Sequence, residues 1–370
     1  MLDRAMQTLH KLTLEPIAET LGDRNSYGFR TARSAHDAIS QCFNLLTRKA
    51  NPRWIMEGDI KGAFDNVSHE WIMENIPINK DILRKFIKSG YIDEGKLFPS
   101  EQGTGQGSAI SPVIFNMVLD GMEKEIQQKA KEIKQRDHIN PKINTCRYAD
   151  DFIVTSADRK ILEQEIKPLI EEFLNSRGLH LSQEKTVITH IDEGFDFLGW
   201  NIRKYKGKLI IKPAKKKTIS LMNKVRTVIK SNKTAEQSNL IRMLNPIIRG
   251  WAQYHCKCCA KKTFSWVDYQ IWKCLWQWAK RRHPNKGKKW IKGKYFHSIG
   301  NKNWVFSTIE NPKTNSKCQL ELYLVASTKI LRHVKVKSDL NPFDTNWWEY
   351  LDTRKNFTYA IEDEYPDHYA

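Results

Sequence analysis

The chain has 370 residues, 40% of them hydrophobic, and 61 Lys and Arg against 42 Asp and Glu, for a formal net charge of +19. That length suggests two or three domains, that hydrophobic content excludes wholesale disorder, and no apolar run reaches the roughly 18 residues of a transmembrane helix. Seven irregularly spaced cysteines argue for a reducing compartment rather than a secreted disulfide framework, and the opening MLDRAMQTLH lacks the apolar stretch of a signal peptide.

In chain order, Ser34-Ala35-His36-Asp37 reads as a capping box, and Ala35, Ala38, Ile39, Cys42 and Leu46 continue an apolar helical face. Arg53 to Ile60 predicts a strand with a carboxylate, Asp59, near its end. Ser111-Pro112 predicts a cap followed by proline at the first helical position. Val113, Ile114, Met117, Val118, Met122 and Ile126 carry that helix forward. Thr145 to Ser156 reads as two short strands meeting at Ala149-Asp150-Asp151. Ile161 to Ser176 predicts a helix closed by Gly178 and interrupted by Pro168. Phe195 to Lys212 alternates and turns at Lys206-Gly207, the pattern of a hairpin. Ile219, Met222, Val225, Val228 and Ile229 open a run of helices reaching about residue 282. The order is mixed α+β and then all-α, with no internal repeat.

The charge is not spread evenly. Residues 1–200 carry 26 basic and 30 acidic side chains, residues 201–300 carry 26 and 2, and residues 301–370 carry 9 and 10. The middle segment also holds Trp251, Trp266, Trp272, Trp276, Trp278 and Trp290, half of the twelve tryptophans. Lysines and arginines interleaved with aromatics suit a polyphosphate partner, although most of these tryptophans are expected in a helical core. His255-Cys256-Lys257-Cys258-Cys259, with Cys274 later, does not have the spacing of common zinc sites, and buried helix cysteines are the preferred reading.

Two segments 91 positions apart place carboxylates where strands end: Asp59-Ile60-Lys61-Gly62-Ala63-Phe64-Asp65 and Tyr148-Ala149-Asp150-Asp151. Carboxylates on neighbouring strands suit divalent cations that clamp the attacking and leaving oxygens of nucleotidyl transfer. Gly62 and Ala63 leave backbone N–H groups open to a triphosphate, and Phe64 is placed to close the space beside a nucleotide's 2′-position. The bland alternatives are an acidic turn at Asp150-Asp151 and a core aromatic at Phe64.

RWIMEGDIKGAFDNVSH, GTGQGSAISPVIFNMVL, RYADDFIV, GLHLSQEKT and FDFLGW, in this order across residues 27–200, resemble the successive motifs of the reverse transcriptase encoded by group II introns. The resemblance implies that Asp59, Asp150 and Asp151 bind metal, Mg²⁺, with the main-chain carbonyl of Ile60 also facing it. It implies that Lys61, Gly62, Ala63 and Phe64 line the nucleotide site, Phe64 selecting deoxynucleotides, with Gln106 and Gly107 beside the nascent base pair. Lys185 matches a lysine that protonates the leaving pyrophosphate, and Phe197, Leu198, Gly199 and Trp200 match the turn that positions the primer end. LNPIIRGWAQYH, FSWVDYQIWKCLWQWAKRRHP and WIKGKYF, from Leu244 to Phe296, resemble the maturase-specific thumb domain. Lys215, Lys216, Lys217, Arg249, Arg281 and Arg282 are the residues expected to contact RNA. Residues 332–350 resemble the DNA-binding linker of some family members.

Two features depart from the family pattern. Gly105-Gln106-Gly107 stands where Pro-Gln-Gly is usual, and Arg4-Ala5-Met6-Gln7 resembles the tail of a finger segment whose basic hairpin would precede Met1. The expectation is therefore an α+β right-hand polymerase. Fingers and palm, an antiparallel sheet with packed helices, span 1–199 without the first finger motifs. An all-α thumb and maturase domain spans 200–300, and a DNA-binding linker region without a nuclease domain spans 301–370. The expected activity is RNA-directed DNA synthesis with assistance to intron splicing and mobility. The alternative is a catalytically impaired RNA-binding maturase or an N-terminally truncated fragment. Expected partners are group II intron RNA, an RNA template with a DNA primer, deoxynucleoside triphosphates and target DNA, with no membrane. The expected location is cytoplasmic, nucleoid-associated in a bacterium or in the organellar matrix of a eukaryote.

Overall fold

The computed structural model describes residues 2–89, 91–93, 96–98, 103–104, 108–310 and 318–354. The chain divides into two units, one running from the N-terminus to Phe195 and resuming at Val334, the other spanning Asp196–His333.

In chain order the first unit contains α1 (Leu2–Leu21), α2 (Ala35–Leu46), β1 (Trp54–Asp59), α3 (His69–Asn75), α4 (Lys80–Lys88), β2 (Tyr91–Asp93), β3 (Lys96–Phe98), α5 (Ser111–Leu119) and α6 (Met122–Asp137). It continues with β4 (Asn144–Tyr148), β5 (Asp151–Ser156), α7 (Arg159–Ile161), α8 (Lys167–Asn175) and β6 (Val187–His190). Four strands form one antiparallel sheet in the order β4-β5-β1-β6. Alternation along the strands sends Met56, Phe152 and Val154 into a large apolar core with Ile114, Val118, Met122, Ile170 and Phe173 of α5, α6 and α8. Cys146 faces the other way, where its thiol donates to the carbonyl of Ala38 on α2. Gly58 is opposite Phe152 in register, and a Cβ there would meet the phenyl ring, so any larger residue would have to displace that ring from the core.

Local signals explain most element ends. Ser34 and Asp37 form the expected capping box of α2. The helix after Ser111 differs from expectation in two ways. Its N-cap is Ile110, one residue earlier, and it stops at Leu119 because Gly121 takes φ 96° and restarts the chain as α6. Asp120 leaves the helix there, and its carboxylate meets Arg147 at 2.6 Å. The interruption at Pro168 becomes intelligible too. Leu162–Ile166 is a π-helical segment between α7 and α8, and Pro168 then sits in the first turn of α8, where its missing N–H costs nothing.

The chain returns to the first unit at its end. Val336 and Leu340 are buried, and the Val336 N–H donates to Asp37 Oδ1 at 2.8 Å. Arg354 donates to the same oxygen at 3.0 Å, and Arg33 donates to the carbonyls of Ser338 and Leu340.

The second unit begins within β7 (Phe195–Phe197), which forms a sheet with β8 (Trp200–Tyr205) and β9 (Lys208–Pro213), in that order. The expected turn at Lys206-Gly207 joins β8 to β9, with φ 49° and 78° as a two-residue hairpin requires. Helices α9 (Lys215–Ser231), α10 (Gln237–His255) and α11 (Lys261–Arg282) pack through Leu221, Val225 and Ile229, Leu240, Leu244 and Ile248, and Val267, Ile271 and Leu275. Short α12 (Lys288–Tyr295) leads into strands absent from the sequence expectation: β10 (Phe296–Ile299), β11 (Lys302–Glu310) and β12 (Cys318–Glu321), an antiparallel sheet. Among the described residues no helix is long and apolar enough to cross a membrane.

Candidate active site

The site forms where β1 ends and β5 begins. Antiparallel register sets Asp59 opposite Asp151, so both carboxylates stand on one face of the sheet. Tyr148 also pairs with Asp151, which makes Ala149-Asp150 a two-residue turn. Ala149 takes φ 57° to close it. The turn is braced from beneath. Tyr27 N–H donates to the carbonyl of Arg147, and Arg147 N–H donates to that of Asn25. Gly28 passes so close that a Cβ would lie 2.4 Å from the Ala149 nitrogen. Asn116 Nδ2 fixes the Gly28 carbonyl at 2.8 Å.

Three carboxylates this close repel one another. Burial raises the Asp151 carboxyl from 3.8 to about 7, with Asp150 and Asp59 adding repulsion. Asp150 is also raised, first by burial and then by Asp59. Lys185, 126 positions after Asp59, supplies the counter-charge: its Nζ donates to Asp59 Oδ2 at 2.9 Å, and that bond holds its own pKa above the ordinary lysine value. Thr186 N–H and Lys185 N–H both donate to the carbonyl of Ser182, whose own N–H donates to the carbonyl of Asp59, so the lysine turn is tied to the end of β1.

The segment after Asp59 folds as a tight turn. Lys61 N–H donates to the carbonyl of His180, and Asp65 and Asn66 N–H groups donate to that of Gly62, which takes φ 56°. Lys61 and Gly62 are exposed, whereas Ile60 and Ala63 are buried. Ile60 bridges to Leu181. Phe64 is half-buried, stacked on Phe115 at 4.5 Å between ring centroids and edge-on to Phe29 at 6.1 Å. Gln106 and Gly107 lie outside the described residues.

The FLGW turn belongs to the second unit. Leu198 and Gly199 take φ 49° and 89°, Phe197 and Trp200 are buried, and Tyr254 stacks on Trp200 while its hydroxyl donates to the Leu198 carbonyl at 3.0 Å. Lys215, Lys216 and Lys217 are exposed in the first turn of α9, where the helix dipole disfavours cations. Arg281 is exposed at the end of α11. Arg249 and Arg282 are more engaged. Arg249 lies over the Tyr323 ring at 5.2 Å, and Arg282 donates to the carbonyls of Lys233 and Ala235.

Sequence reasoning missed the polar network under the Ala149-Asp150 turn. Arg147, Asp23 and Glu123 are buried together, with half-buried Asp120 paired to Arg147. The Asp120 carboxyl is raised to about 6, mainly by burial, while Glu123 accepts from the Asn25 backbone at 2.9 Å. The only local signal was Arg147, the one charged residue of strand β4. Cys256 and Cys258 are buried and Cys259 is exposed.

Residues 1–202 match the family described as reverse transcriptase (RNA-dependent DNA polymerase), more than half of the sequence, and the chain belongs to that family. Residues 219–296 match the maturase-specific domain of group II introns, so within that family the chain is of the group II intron maturase type. Protein YkfC of Escherichia coli is 32% identical over 230 residues, 53% of this chain and 60% of its own length. The group II intron-encoded protein LtrA of Lactococcus lactis is 28% identical over 285 residues, 61% of this chain and 47% of its own. The matches thus span about half to three-fifths of these curated relatives. A solved telomerase from Candida albicans aligns over 79% of this chain and 56% of its own at 16% identity, with a TM-score of 0.40. The family generally uses divalent metal ions.

Proposed function

We propose that the protein polymerises DNA on an RNA template and assists the splicing and mobility of a group II intron. The observation that carries the polymerase reading is the assembly of Asp59, Asp150 and Asp151 at one sheet edge with Lys185 on Asp59. Among the described residues no three potential ligands converge as a ready-made metal cluster. The donor set nevertheless fits Mg²⁺, which is held by one or two carboxylates completed by substrate phosphates, and the mutual repulsion of these carboxylates favours a cation. Asp59 and Asp150 would hold it, with Asp151 and the Ile60 carbonyl completing the site. When bound, the metal would lower the charge on the phosphoryl oxygens and favour the 3′-alkoxide of the primer.

The chain's own residues do the rest. Lys185, an ammonium held beside Asp59, would be the proton donor to the leaving pyrophosphate. Phe64, backed by Phe115, presents a ring edge where a ribose 2′-hydroxyl would have to fit. Lys61 and the exposed turn at Gly62 face the triphosphate, with Gln106 and Gly107 beside the base pair. Phe197 to Trp200 hold the primer end, and the basic second unit grips the RNA through Lys215–Lys217, Arg249, Arg281 and Arg282. Target DNA is a further partner, and the compartment is one that contains the intron RNA, cytoplasm or organellar matrix. A second reading, a maturase that binds RNA without polymerising, needs only the basic segment 201–300, with 26 basic and 2 acidic side chains.

Primer extension on an RNA template with Mg²⁺ separates the two. Asp150→Asn should abolish synthesis and leave RNA binding nearly unchanged, because it removes a metal ligand and none of the basic surface. Synthesis near wild type in this variant would sink the assignment. Binding without any synthesis by the unaltered protein would leave the second reading.

A further inference from the structure

A cavity of about 800 Å³ opens between α9 and α11, wholly within the second unit. Six cations line it: Arg226, Lys230, Lys233, Lys273, Arg281 and Arg282. No carboxylate does. The 201–300 segment has two acids, Glu236 and Asp268, and Asp268 accepts from the N–H groups of Val325 and Ala326, at 2.8 Å each. Arg282 is a fixed charge at one end. Its guanidinium lies 4.6 Å over the Trp278 ring and donates to two backbone carbonyls. Ile229, Cys274 and Trp278 give the wall an apolar portion. Gln270 and Gln277, seven residues apart on α11, bring side-chain amides to the same space.

Each feature answers one part of a ligand. An apolar wall suits a flat heteroaromatic ring, amides suit its hydrogen-bonding edge, and a cationic rim without acids suits phosphate. A duplex backbone needs only the cations and no cavity. The volume lies in the range of small-ligand sites and exceeds what a counterion fills.

We propose that this cavity captures one unpaired nucleotide of a structured RNA, its base against the Ile229, Cys274 and Trp278 wall and its flanking phosphates on the lysine and arginine rim. The proposal rests on the reading that the second unit binds RNA, and it names the feature of that RNA which would be selected.

Cys274 reports on occupancy, because its thiol is in the wall and half-exposed, while exposed Cys259 lies outside the cavity and serves as an internal reference. The full chain is alkylated with a maleimide, alone or saturated with a fully paired RNA hairpin, a hairpin of matched length carrying one unpaired adenosine, or AMP. Peptide mass spectrometry reads each cysteine. The bulged hairpin should slow Cys274 alkylation about tenfold relative to the paired one, the worth of one base contact, and leave Cys259 unchanged. Cys274→Trp, which fills the cavity, should reduce affinity for the bulged hairpin to that for the paired one, again about tenfold. Equal protection by both hairpins would overturn base capture. Protection by AMP but not by the bulged hairpin would assign the cavity to a free nucleotide and overturn the RNA assignment. RNA that binds without slowing Cys274 would overturn the cavity proposal alone, whereas no RNA binding at all would overturn both it and the functional reading beneath it.

Discussion

Asp151→Asn should make the protein more stable, not less, when divalent cations are chelated. The substitution keeps the shape of the side chain and removes its charge. In the folded chain the Asp151 carboxyl is raised from 3.8 to about 7, by burial first and then by Asp150 and Asp59. A raised acid holds its proton more tightly when folded than when unfolded. Stability therefore falls as pH rises from about 4 to about 7 and stays low above that. A gap of about three pKa units corresponds to about 4 kcal/mol at 1.36 kcal/mol per unit, and relaxation of the neighbouring carboxylates reduces the expected gain to about 2–4 kcal/mol at pH 8. For a unit of this size that is a rise of roughly 5–15 °C in melting temperature. The gain should shrink to less than half by about pH 5 and vanish near pH 3, where the carboxyl is protonated whether the chain is folded or not. Saturating Mg²⁺ should stabilise the wild type more than the variant and so narrow the difference. Thermal melts with chelator across this pH range test it. An Asn variant no more stable than wild type at pH 8, or one with the same advantage at pH 4, would refute the account of crowded carboxylates.

Other outcomes follow from the same geometry. Phe64→Ala should raise ribonucleotide relative to deoxynucleotide incorporation in single-nucleotide extension, because the ring stacked on Phe115 is removed from the sugar's side; an unchanged ratio would make Phe64 a core residue only. Gly28→Ala should destabilise the first unit by about 2 kcal/mol or more and depress synthesis, since its Cβ would meet the backbone of Ala149 rather than a movable side chain. A normal melting temperature in that variant would show the close approach to be tolerant. RNA affinity should fall by roughly 10³-fold or more between 50 and 200 mM salt if about six or more phosphates are contacted, and charge reversal at Lys215, Lys216 and Lys217 should flatten that slope while Asp59→Ala does not. Filter binding across a salt series would expose a slope indifferent to the lysines.

Much of the candidate site was legible because its parts are short and local. Asp59 ends a strand, Asp150 sits in a two-residue turn, Leu198-Gly199 and Lys206-Gly207 bend hairpins, and Ser34 caps a helix; each follows from the preferences of neighbouring residues. The strands from Phe296 to Glu321 were not legible. Phe296–Ile299 is only four residues long, and its apolar residues read equally well as the end of a helix until Lys302–Glu310 returns to pair with it. The break between α5 and α6 was hidden for a related reason. The apolar period continues through Met122 and Ile126, while Gly121 and the buried pairing of Asp120 with Arg147 turn the chain.

By itself the sequence determined which residues are candidates for the chemistry and where the charge lies: the aspartate motifs, the aromatic at Phe64, and a 100-residue segment with 26 basic and 2 acidic side chains. Only the tertiary structure decided which of them meet. β1 lies between β5 and β6, so Asp59 is held opposite Asp151, and Lys185 reaches Asp59 across 126 positions. The same is true of the return of Val336 and Arg354 to Asp37, across 299 and 317 positions. Helix caps and turns are specified within a few residues, but strand order, register and the pairing of buried charges are chosen by burial of the whole core. A register slip of one residue would turn every side chain of β1 to the other face and separate Asp59 from its partners.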